Sequence, residues 1–119
     1  MKTDNAILEK SKKFAIRIIN LNKYLTEEKR EYVLSKQILR SGTGIGANVK
    51  ESTCAQSLPD FHSKLKITLK EAVETEYWLE LLHETDYLDE VAFDSIYTDC
   101  KELIKLLTSI CKTTDFTGE

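Results

Sequence analysis

Two short stretches of the sequence hold the residue types that chemistry requires. Glu80-Leu81-Leu82-His83 sets a carboxylate and an imidazole three residues apart, so a helix would project both from one face, as di-iron bundles do. Such a centre needs a second pair and two more carboxylates. The only other histidine is His62, with Pro59 three residues before it, so no metal or other cofactor is expected and His83 reads as a residue near a helix end. The run Arg40-Ser41-Gly42-Thr43-Gly44-Ile45-Gly46-Ala47-Asn48 has glycine amides that could cradle a phosphate. Its spacing is neither GxGxxG nor GxxxxGK[ST], and residues 33–39 before it read as helix. Close packing is the better reading, with Trp78 or Tyr77 expected against the bare glycine backbone. Glu71, Glu74 and Glu76 could share acid and base roles only if a pocket shifted one of them. The expectation is that Glu71 and Glu74 are solvated, while Glu76, on an apolar stripe, finds a donor in Arg40 or Asn48. With no GxSxG and no candidate triad, the chain is read as non-catalytic.

Charge points to a different class of function. Residues 1–70 carry 14 Lys and Arg against 7 Asp and Glu, and residues 71–119 carry 3 against 13. The net of −3 therefore hides two opposed halves, a pattern that serves acidic-to-basic packing of segments or subunits, or a polyanion partner. Lys10, Lys13 and Arg17 form a basic strip on the first helix, and Lys64, Lys66 and Lys70 add charge on the third. Six such groups on one face would bind RNA or DNA by counterion release.

The elements that must position these residues are helical. Four Gly and one Pro in 119 residues are too few for the frequent turns of an all-β chain. Helices are expected over about 4–25, 28–56, 58–84 and 90–112, with Asp4 and Thr26 as caps of the first two, a Ser57-Leu58-Pro59-Asp60 start to the third and a frayed tail over 113–119. Short connections make this an all-α, up-down-up-down antiparallel four-helix bundle, a single domain over 1–119. Broad apolar arcs on the first and third helices leave surface for a second chain, so a homo-oligomer is expected. No stretch is long enough to span a membrane and no secretory signal precedes the first helix, so a cytoplasmic location is expected. Cys54, Cys100 and Cys111, odd in number and without a CxxC pair, read as reduced thiols packed as small hydrophobes.

The run Gln37-Ile38-Leu39-Arg40-Ser41-Gly42-Thr43-Gly44-Ile45-Gly46-Ala47-Asn48-Val49-Lys50-Glu51 is followed by Asp60-Phe61, Lys64-Leu65, Leu69-Lys70-Glu71-Ala72, Glu74-Thr75 and Tyr77-Trp78-Leu79. Together they resemble the four-helix bundle proteins encoded in 23S ribosomal RNA intervening sequences, a group that includes the accessory variability proteins of diversity-generating retroelements. The resemblance implies a homopentameric ring without enzymatic activity. Retroelement members bind nucleic acid and a reverse transcriptase through basic surfaces, so such partners are implied where a reverse transcriptase gene lies nearby. The family's polar positions fall on Arg40, Ser41, Asn48, Glu51 and Glu74, read as structural or assembly residues along with Gly42, Gly46, Glu76 and Trp78. Gly44 stands where the family usually has Ser.

Overall fold

In the computed structural model, which describes residues 5–118, four helices follow one another: α1 (Asn5–Glu27), α2 (Leu34–Ser52), α3 (Leu58–Glu84) and α4 (Glu90–Gly118). Each packs on its chain neighbour, α1 also meets α4 more lightly, and α1 and α3 stand diagonally apart. The bundle measures 46 × 21 × 21 Å. This is the all-α four-helix bundle that the hydrophobic spacing predicts. Phe14, Ile18 and Leu25 of α1, Ile38, Ile45 and Val49 of α2, Leu65 and Leu79 of α3, and Leu103 and Leu107 of α4 fill the core.

The ends of the helices follow from capping chemistry. Ser57, in extended backbone, accepts the Asp60 amide on its Oγ at 3.2 Å, and proline occupies the first turn of α3, as its sequence predicts. α2 differs from expectation. It starts at Leu34, not near 28, because Arg30 takes a left-handed backbone (φ 54°) and breaks the helical path. The Glu31 carboxylate then accepts the amides of Leu34 and Ser35 at 3.0 and 2.7 Å, capping α2 from outside it. Thr26, expected to cap α2, lies within α1 and donates to the Asn22 carbonyl at 2.9 Å. α2 also ends sooner, at Ser52 rather than 56. The expected cap Asp4 lies outside the described residues. α4 continues past 112 to Gly118; its last turns are tied to α3, where His62 Nδ1 lies 2.6 Å from Oγ1 of the buried Thr114.

Cys100 and Cys111 are buried on one face of α4 as expected, but Cys54 is exposed. The Cys100 thiol is pushed up to about 12, first by burial and then by the Glu76 charge, so it stays protonated and acts as packing. It donates to the Ala72 carbonyl at 3.5 Å. No helix among the described residues is long and apolar enough to cross a membrane.

Candidate functional site

The glycine run is continuous helix, and its glycines are contact points. A Cβ on Gly42 would stand 2.7 Å from Ile18 Cγ1, and one on Gly46 would stand 3.2 Å from the Ser11 carbonyl oxygen. The partner across these two positions is therefore α1, not Trp78 or Tyr77 of α3. A Cβ on Gly44 would meet Glu71 Oε2 of α3 at 3.0 Å. Three glycines thus bring α2 close to both neighbours.

On the α3 side the motif's polar residues form one cluster. Arg40 Nη2 bonds Glu74 Oε2, and the same oxygen accepts the Trp78 indole N–H at 2.9 Å. Arg40 Nη1 lies 3.6 Å from Glu71 Oε2. Beneath them, Thr75 Oγ1 donates to Ser41 Oγ at 2.8 Å, both residues fully buried. Glu71 and Glu74 are therefore the carboxylates that face Arg40, against the expectation that both are solvated. Glu76 turns to α4 instead and pairs with Lys101 at 3.2 Å, because its stripe position faces the α3–α4 seam. Asn48 donates to the Gly44 carbonyl within α2 at 2.9 Å, and Glu51 is exposed.

Glu71 is the residue that sequence reasoning missed. Its Oε2 is buried without a hydrogen bond, in the niche that Gly44 leaves. Burial raises its pKa above the ordinary value, the Arg40 charge opposes this and the Glu74 charge adds to it. The signal was present in the sequence as an extra glycine four residues after Arg40, but only the packing gives it a partner.

The Glu80 and His83 pair does not converge. Glu80 Oε2 accepts the Tyr97 hydroxyl at 2.6 Å, which together with burial raises the Tyr97 pKa. His83 Nε2 lies 3.0 Å from Glu90 Oε2, its ring stacked on Phe93 with centroids 4.1 Å apart. Among the described residues no group of three or more His, Cys, Asp or Glu could hold a metal ion.

The six basic residues do not share a face. Lys10 bonds Glu102 at 3.0 Å, and Arg17 bonds Asp99 at 2.7 Å, both across the α1–α4 seam. Lys64 pairs within α3 with Asp60 at 3.8 Å. Lys13, Lys66 and Lys70 carry no ion pair among the described residues, but α1 and α3 are diagonal. Four further cations, Lys12 and Lys23 of α1 and Lys36 and Lys50 of α2, are exposed, with Glu9 beside Lys12 and Lys50.

Comparison with known proteins places this geometry. A crystal structure of a protein with unknown function from the S23 ribosomal protein family of Bacteroides thetaiotaomicron superposes with a TM-score of 0.90 at 56% sequence identity, covering 92% of this chain and 98% of that one. No curated protein matches. The family model of the 23S rRNA-intervening sequence protein matches residues 3–109, and the run from Arg40 through Trp78, which builds the cluster above, falls within that span. The chain belongs to the 23S rRNA-intervening sequence protein family.

Proposed function

We propose that this protein is a non-catalytic assembly module of the cytoplasm, whose copies associate side by side into a closed homo-oligomer, the pentamer of the family resemblance being the ring to look for. The supporting observation is apolar surface left bare outside a full core. Ile16 (51% exposed) and Ile19 lie on α1, and Ile67, Val73 and Tyr77 (53%) on α3. Single exposed hydrophobes are ordinary, but these gather on diagonally opposite helices. One two-fold contact would bury one patch and leave the other in water. A head-to-tail contact, one patch of each copy on the other patch of the next, covers both. The Arg40–Glu74–Trp78 cluster fits this reading as the brace that holds α2 and α3 in register. Sedimentation equilibrium tests it: a single species at several times 13.7 kDa is expected, and a monomer throughout the concentration range overturns it.

A second reading, a nucleic-acid-binding accessory protein, is favoured by the exposed cations Lys13, Lys66 and Lys70, which have no ion pair among the described residues, with Lys12, Lys23, Lys36 and Lys50 exposed on α1 and α2. A reverse transcriptase would be its protein partner where one is encoded nearby. Retention of single-stranded RNA or DNA at low salt that collapses as salt rises supports it, and no retention at low salt removes it.

A further inference from the structure

Gly46 lets α2 settle onto the Ser11 carbonyl, and the small residues around that contact leave a trough of about 450 Å³ on the outside of the α1–α2 pair. Leu8, Ala15 and Ala47 give it an apolar floor, with Glu9, Lys12 and Lys50 at its rim. Neither lysine has an acidic partner among the described residues, so the rim favours an acidic occupant with an apolar tip. The chain itself contains one. Val91, in the first turn of α4, is 81% exposed, more than any other large hydrophobic residue of the described chain. Asp86, Asp89, Glu90 and Asp94 flank it in sequence, Glu84 ends α3 just before the turn, and Asp94, three residues on, shares its side of the helix. Glu90 is held by His83, while Glu84 and Asp94 are exposed and have no ion pair among the described residues.

We propose that, in the homo-oligomer, the first turns of α4 of one copy dock into the α1–α2 trough of the next. Val91 rests on the alanine floor, and Asp94 and Glu84 lie toward Lys12 and Lys50. This rests on the assembly reading above and adds a charged contact beside that of its apolar patches. The charge division of the sequence supports it, since the trough lies in the basic half of the chain and the knob in the acidic half. Topology supports it too. No residue of α4 lines the trough, so knob and trough are separate surfaces of one copy, and the contact can repeat from copy to copy until a ring closes.

The test is analytical ultracentrifugation of the full chain in three variants whose helicity and melting are checked by circular dichroism: Val91→Arg, the reversal Lys12→Glu with Lys50→Glu, and the reversal Glu84→Lys with Asp94→Lys. All five positions are exposed, so the fold should survive. Each variant is expected to weaken association by about tenfold or more, and combining the two reversals in one chain is expected to restore it, because knob and trough then again carry opposite charges. If the wild-type chain is a monomer, the assembly reading and this docking fall together. If it is oligomeric and folded Val91→Arg associates equally well, or if the combined reversal restores nothing, the docking is overturned and the assembly reading stands.

Discussion

At positions 42, 44 and 46 one helix has the same residue in three surroundings, so one substitution has three outcomes. Alanine at 42 must push its Cβ into the branched part of Ile18, and alanine at 46 must push against the Ser11 backbone. Over-packing of this kind costs about 1–3 kcal/mol, more than the roughly 1 kcal/mol of helix propensity regained. Thermal melts of Gly42→Ala and Gly46→Ala should therefore fall below wild type. At Gly44 the obstacle is the movable end of Glu71, so Gly44→Ala should keep its propensity gain. Gly44→Ser should gain more, since its hydroxyl can donate to the Glu71 oxygen, which has no hydrogen bond among the described residues; a Gly44→Ser melt below that of Gly44→Ala would exclude that bond. Glu71 also sets a pH dependence. Its pKa is higher folded than in the ordinary carboxylate, so the folded state holds its proton more tightly than the unfolded one. That contribution is complete below the unfolded value and is lost as pH rises through the folded one. Glu71→Gln should thus be most favourable relative to wild type at neutral pH, with the advantage shrinking on acidification to about pH 4. The stripe of glycines is visible in the sequence, but which helix each one faces depends on which wall of the bundle it meets, and that is not local information.

Between elements, the α2–α3 seam depends on one carboxylate more than on the cation it binds. Glu74 Oε2 serves both the Arg40 guanidinium and the Trp78 indole. Truncating Arg40, whose side chain is 52% exposed, loses its 3.6 Å contact with Glu71 and its partly solvated pair with Glu74, worth about 0.5–1 kcal/mol. Truncating Glu74 removes that pair and also strands the half-buried indole N–H, an added cost of about 1–3 kcal/mol. Glu74→Ala should therefore be the more destabilising in denaturant titration and should shift the emission of the single tryptophan, which Arg40→Ala should leave nearly unchanged. Equal stability losses would mean that the indole finds water. Element limits were legible where their signals are local. The start of α3 at Ser57 with Pro59, its end at Glu84 and the start of α4 at Glu90 agree with the spacing. The break between α1 and α2 was expected near 26–27 but lies at 28–33, because a left-handed arginine and a glutamate reaching forward three and four residues to cap α2 move it past Thr26.

For the whole molecule, the seam to watch is the one that closes the bundle. α1 meets α4 more lightly than any other pair of chain or ring neighbours meets, and a cleft of about 410 Å³ opens there between Tyr24 and Leu88. Apolar contact is thin along this line, so charge takes a larger share. Arg17 bonds Asp99 at 2.7 Å and the Ser95 hydroxyl and carbonyl at 2.9 and 3.2 Å, and Lys10 reaches Glu102. The division of charge between the two halves of the chain is in this way used inside one copy, before any second copy is considered. Both pairs are partly solvated, so each is modest and sensitive to screening. Arg17→Ala should lower stability by about 1 kcal/mol, taking the ion pair with its hydrogen bonds. It should also reduce the loss of melting temperature that wild type shows when sodium chloride rises from about 0.05 to about 1 M, because the pair that salt weakens is already gone. Hydrogen exchange should place the first opening along the facing sides of α1 and α4, with the Ser41–Thr75 region of α2 and α3 protected longest. Identical salt responses in the two proteins, together with α2 and α3 exchanging first, would mean that the bundle opens along its glycine seam instead.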